Sequence, residues 1–197
     1  MQSYLEATRH ASQTLIEAYM RELIELQDEA SAYNEHIAQV QDLERELKKR
    51  GVPETFSDWE ALATAWQGLP AEWVTLRRIQ EKRLALKDST ACLCGALLQI
   101  AKQGLSAVHG PPAHWPNLPS ISGVAKSSII RHGRNQAVHF EEGVTQQTQT
   151  FFAQLSVTFG SQFDLMQHPA ESLSREIIDL LHWHTLNEYV TDMLAMA

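Results

Sequence analysis

Along the first fifty residues the apolar positions advance in steps of four and three. Tyr19, Leu23, Leu26, Ala30, Tyr33, Ile37, Val40 and Leu47 mark one stripe, and Glu44 fills its single polar slot. This spacing holds one helix face in register with a partner helix, a heptad seam. It predicts one long helix over residues 1–50, ended by Gly51 and Pro53. In "SDWE", Ser57 stands three residues before Glu60, the layout of a capping box, which predicts a short helix closed at Pro70. A second long helix is expected over about 71–103. There Leu76, Ile79, Leu86, Leu93, Leu97 and Ile100 repeat the spacing, with Arg83 and Thr90 as polar members. Two seamed helices with a connection of about twenty residues predict an antiparallel hairpin. Glu44 and Arg83 are expected at seam ends, or reaching to water along their stems.

Residues 104–119, "GLSAVHGPPAHWPNLP", hold four prolines and two glycines and read as a long loop. A short helix follows over about 122–132, broken by Gly133. The chain restarts as helix near Asn135, with an interruption at Gly143, and runs to about Phe159. The last helix covers about 171–193, with Leu173, Ile177, Leu180, Trp183 and Val190 on one stripe. "QLSVTF" is the longest alternating stretch, and its helical surroundings should override it. The pattern therefore predicts a single all-α domain over residues 1–197, with two long antiparallel helices, shorter C-terminal helices and no sheet.

Composition narrows what such a bundle does. Hydrophobic residues at 44% and charged residues at 20% are globular values. No apolar run approaches the roughly 20 residues of a bilayer span, and "MQSYLEATRH" lacks the layout of a signal peptide, so a cytoplasmic protein with no membrane contact is expected. The formal charge is −8, of which −7 belongs to residues 1–60, with 13 acidic residues against 6 Lys and Arg. An acidic chain does not coat nucleic acid nonspecifically, so any contact with RNA has to be local. One window allows it. From Ile100 to Phe140 the formal charges are Lys102, Lys126, Arg131 and Arg134, all positive.

The familiar chemical motifs are missing. There is no Gly-rich phosphate loop, HExxH, paired CxxC or GxSxG. Cys92 and Cys94, two apart on a helix, point to nearly opposite sides and read as buried small residues. His182 and His184 diverge in the same way. His109, His114 and His132 have no supporting carboxylate or thiolate spacing, so no metal and no cofactor are expected. What remains is "RHGRNQAVHF", residues 131–140. On a regular helix the five-residue step from Arg134 to His139 turns about 500°, leaving the two side chains some 140° apart. A break at Gly133 would let Arg134 fold back over the first turn, with His139 near the positive end of the helix dipole. An arginine fork, an imidazole and a helix start are the parts phosphoryl chemistry uses. In the plainer reading Arg134 caps Glu141 or Glu142, and His139 is a partly buried surface residue.

"SSIIRHGRNQAVHFEEG" resembles the signature of the HEPN superfamily, all-α proteins that include many prokaryotic toxins and antiviral ribonucleases. Their motif is an arginine, four to six residues, then a histidine, with a polar residue commonly right after the arginine. Arg134, Asn135 and His139 match it with four residues between, and the short aliphatic helix before it and the two long helices upstream agree. The likeness covers most of the chain, with an unusually long first helix. For the additional acidic residue that some members place in the cleft, Asp88 and Glu72 are the positions considered.

The resemblance implies a metal-independent endoribonuclease that leaves a 2′,3′-cyclic phosphate. His139 would be general base or acid, Arg134 the phosphate clamp, and Asn135 an orienting group. Lys126, Arg131 and His132 in the basic window would bind substrate. It also implies a homodimer that brings two motifs to one cleft, since one imidazole does not remove and deliver a proton at once, and it leaves room for a cognate antitoxin. Two alternatives stand beside this. One is a non-catalytic HEPN-like module that binds RNA, a nucleotide or a protein. The other is a helical protein whose acidic first helix docks a partner.

Overall fold

The computed structural model describes residues 1–49 and 55–197. It is all-α: α1 Gln2–Lys49, α2 Phe56–His109, α3 Lys126–His139, α4 Gln146–Phe159, α5 Ser174–Leu181 and α6 Leu186–Ala195. Two short 3-10 turns and a two-residue β-hairpin complete it. The hairpin pairs β1, Ser120–Ile121, with β2, Val124–Ala125. Ser122 and Gly123 both take positive φ between the strands, as a tight two-residue turn requires. This small ladder departs from the expectation of no sheet.

Residues 22–88 form one compact unit, and residues 1–21 with 89–197 form another. In the first, the two helices run antiparallel. Lys82 Nζ lies 2.7 Å from Glu25 and 2.6 Å from Glu29, and His36 Nδ1 lies 2.8 Å from Glu72. Leu23, Leu26, Ala30, Tyr33 and Ile37 are all partly covered, and Val40 and Leu76 are buried, as the seam predicts. Arg83, a polar member of that seam, lays its guanidinium 5.1 Å from the centroid of the Tyr33 ring, so its charge meets a π face rather than water alone. Glu72 is thereby accounted for by His36, and Asp88 is exposed.

Gly51 and Pro53, the expected stop of α1, lie outside the described residues. Two other expected ends are absent. Helix α2 begins at Phe56, so Ser57 is already inside it and does not cap it. It then runs through Pro70 without a break. Pro70 is exposed, where water can take up the hydrogen bond that its nitrogen cannot donate. The same helix extends six residues beyond Gln103, to His109, so the Pro-rich loop is shorter than expected and begins at Gly110, which takes φ +73°. Gly104 lies within the helix, and Tyr4 and Met193 pack where a side chain would stand, with Tyr4 Cε1 only 2.8 Å from an ideal Cβ.

A window within Pro70–His109 reaches a mean hydropathy of 1.3, comparable in length and composition to a membrane span. This corrects the expectation that no stretch comes near one. Its physical role in the larger unit is visible in Cys94, Leu97, Leu98, Ala101 and Leu105, each buried under the C-terminal helices. Cys92, by contrast, is exposed. The reading of both cysteines as buried holds for Cys94 alone.

The shorter helices are fixed by identifiable end groups. Thr145 caps α4, accepting from the Thr148 N–H, after a turn in which Gly143 takes φ +92°. The single last helix expected over 171–193 is two. His182 adopts the left-handed conformation that ends α5, and Thr185 with Glu188 forms a capping box that starts α6. Between them Trp183 is fully buried, and its indole N–H donates to Asp192 at 2.9 Å.

Candidate functional site

Helix α3 carries the Arg134–His139 motif and runs unbroken from Lys126 to His139. The break expected at Gly133 is therefore not there. Gly133 is buried, and a Cβ on it would meet Ile177 Cγ2 at 2.8 Å. Glycine serves here to let α5 approach α3, not to end a helix. Ile129, Ile130 and Gln136 bury the same side of α3. Gln136 accepts from the Leu173 N–H at 2.8 Å and donates to the Glu171 carbonyl at 2.7 Å, tying the start of α5 to α3.

The opposite, solvent-facing side of α3 forms a ridge of Arg131, Asn135, Val138 and His139. On this regular helix Arg134 and His139 lie some 140° apart, on the two flanks of the ridge. Arg134 turns toward α2, where its Nε donates to Gln99 Oε1 at 2.5 Å, and its Nη1 donates to Asn135 Oδ1 at 3.4 Å. That leaves the outer edge of the fork for a further acceptor. Sequence reasoning missed Gln99, whose signal was only a polar residue one position before Ile100 in the second seam. His139 is exposed, and its Nδ1 lies 3.7 Å from Glu142. Arg134 does not cap Glu141 or Glu142.

The structure gives the three expected substrate-binding residues different surroundings. Lys126 is mostly buried at the start of α3, with its ammonium 2.6 Å from both Asp192 oxygens. It is not brought together with the ridge. Arg131 and His132 remain at the surface between α3 and α4. Arg131 Nη2 reaches Gln147 Oε1 at 3.5 Å. The His132 ring stacks on Phe151 with centroids 4.4 Å apart and 18° between planes, and its Nδ1 lies 3.2 Å from Thr148 Oγ1. Burial, and then the Arg131 cation, push its pKa down to about 4, so the ring is neutral at physiological pH.

The other histidines form no ligand cluster, but His182 and His184 do not diverge as expected: the left-handed turn at His182 brings their rings edge to face with centroids 6.4 Å apart. His182 ends α5, His184 lies 3.2 Å from Asp179, His109 contacts the Met196 carbonyl, and His114 is exposed. Among the described residues no three His, Cys, Asp or Glu side chains gather as metal ligands. Among the carboxyls that the sequence did not single out is Glu176 on α5, pushed above its usual range by burial, with its Oε2 unpartnered.

No family model, curated protein or solved structure matches this chain.

Proposed function

We propose that the chain is a metal-independent endoribonuclease of HEPN type, acting as a two-fold homodimer in a toxin–antitoxin or antiviral defence system. The observation that carries this reading is the α3 ridge. It presents a guanidinium steered by Gln99, an amide beside it and a solvent-exposed imidazole, in a window of sequence free of acidic residues.

In this reading the RNA 2′-OH attacks the adjacent phosphorus, forming the 2′-O–P bond and breaking the P–O5′ bond. One imidazole takes the 2′-OH proton and another delivers a proton to the departing 5′-oxygen. The products are a 2′,3′-cyclic phosphate and a 5′-OH. Arg134 holds the phosphate oxygens as charge grows on them. The wide angle between Arg134 and His139 means that one copy does not turn both on the same phosphate. The second copy supplies the complement, so the oligomer is part of the chemistry. Sedimentation at micromolar concentration, run beside RNA cleavage in EDTA, tests this: a dimer that cuts is expected, and a strict monomer or a protein inert toward all RNA would overturn it.

One observation favours a second reading. Arg134 and His139 diverge, and Arg134 already has a protein partner in Gln99, which would suit a non-catalytic module that binds RNA, a nucleotide or a protein. Binding without cleavage would select it.

A further inference from the structure

A groove of about 480 Å³ lies between α3 and α4, lined by Arg131, His132, Gln147, Thr150, Phe151 and Gln154 among others. No carboxylate is among its described lining residues. Each feature narrows the ligand. Without carboxylates it offers no anionic group to hold a divalent cation or an amine. A purely apolar ligand would strand three side-chain amides, of Gln146, Gln147 and Gln154, and a guanidinium. A bare phosphate would use Arg131 but not the stacked rings. A flat, unsaturated ring with donors and acceptors on its edge uses all of them, since glutamine amides carry both functions and aromatic side chains accept a base regardless of sequence.

The histidine is set for this role by its neighbours. The Thr148 N–H donates to Thr145 Oγ1, and the Thr145 hydroxyl donates to Thr148 Oγ1 at 3.2 Å. The Thr148 hydroxyl in turn lies 3.2 Å from His132 Nδ1, which ties the ring to the start of α4. The α4 cap and the Phe151 stack thus fix the orientation of a groove-lining imidazole. The groove is also in register with the motif. His132 and His139 are seven residues apart, which is about two turns, on the same flank of α3 and about 10 Å apart along the axis.

We infer that this groove is a subsite for one unpaired nucleobase of the RNA strand, on the flank of α3 that carries His139. The inference rests on the ribonuclease reading for its ligand class and extends it to base recognition. A base within a duplex has its edge covered and is excluded.

The test uses full-length protein carrying His139→Ala, so that RNA survives, and fluorescence anisotropy with a short labelled single strand. The same strand made abasic, and a duplex, serve as controls. Phe151→Leu keeps apolar volume and removes the ring. It should weaken binding of the single strand about ten-fold, the worth of one stacked base, with no change for the abasic strand. The exposed pair Gln147→Ala and Gln154→Ala should likewise weaken only the base-bearing strand, and guards against a folding defect in Phe151→Leu. Equal binding of abasic and base-bearing strands, binding indifferent to these changes, or no strand binding at all would each overturn the subsite. Cleavage by the protein with an intact His139 is read separately. Base-selective binding without cleavage sinks the nuclease and keeps the subsite, whereas cleavage with groove variants silent sinks the subsite alone.

Discussion

Gly133 of α3 lies against Ile177 of α5 so closely that a Cβ would stand 2.8 Å from Ile177 Cγ2 and 3.1 Å from Cγ1. Gly133 sits within a continuous α3, and that continuity puts Arg134 and His139 on opposite flanks of one ridge.

Gly133→Ala should therefore destabilise the protein. A methyl gains up to about 1 kcal/mol of helix propensity, but forcing it into a branched, fully buried neighbour costs about 1–3 kcal/mol. A net loss of about 1 kcal/mol is expected in urea unfolding. Combined with Ile177→Ala, the loss should be smaller than the sum of the two single losses. A stabilising Gly133→Ala would show that the glycine does something else.

Lys126→Ala should act on stability and not on RNA. Its removal leaves the Asp192 carboxylate to the Trp183 indole N–H, in a pair whose side chains are each 16% exposed. Breaking a largely buried pair from one side costs about 3 kcal/mol. Cleavage measured well below the lowered melting point should match that of the parent protein, and a selective loss of RNA affinity would restore Lys126 to the substrate site.

Gln99→Ala should lower turnover without unfolding the protein, because it frees Arg134 from the acceptor that aims it. A misaimed clamp costs about ten- to a hundred-fold in rate. Full activity in this variant would mean that Arg134 needs no such guide.

His132 gives a pH signature. Its folded-state pKa, about 4, lies below its ordinary 6.5. Between these values the unfolded chain binds the proton that the folded one refuses, so stability falls as pH drops from about 6.5 to about 4 and is unaffected above that window. Water reaches part of the ring, so the loss is on the order of 1–2 kcal/mol. His132→Gln should flatten this part of the stability profile, and an NMR titration should find the His132 midpoint near 4.

Much of this fold can be read from apolar spacing, because a heptad seam tolerates few alternatives. Tyr19, Val40, Leu76 and Leu97 are buried, as the stripe requires. End signals were less dependable, since they are local and tertiary packing outweighs them. "SDWE" resembles a capping box and lies inside α2, whereas "TLNE" at 185–188 is a true one that the apolar stripe of 171–193 ran over. Gly133 shows the same limit: a glycine that breaks a helix and one that admits a neighbouring helix look alike until Ile177 is placed. The motif residues were legible from their types and order. The Gln99 contact, the Lys126–Asp192 pair and the His132–Phe151 stack were not, because each joins elements distant in sequence.

The central claim is that the α3 motif cuts RNA, and the chemistry of the new ends tests it most directly. Purified protein is incubated with total RNA in EDTA, and the fragments are assayed for 2′,3′-cyclic phosphate and 5′-OH ends across pH. The expected result is cyclic ends, a rate that rises and then falls with pH, and loss of cleavage in both Arg134→Ala and His139→Ala with helical content intact. Cleavage that persists unchanged in the His139→Ala protein, or ends bearing a 5′-phosphate, would contradict it.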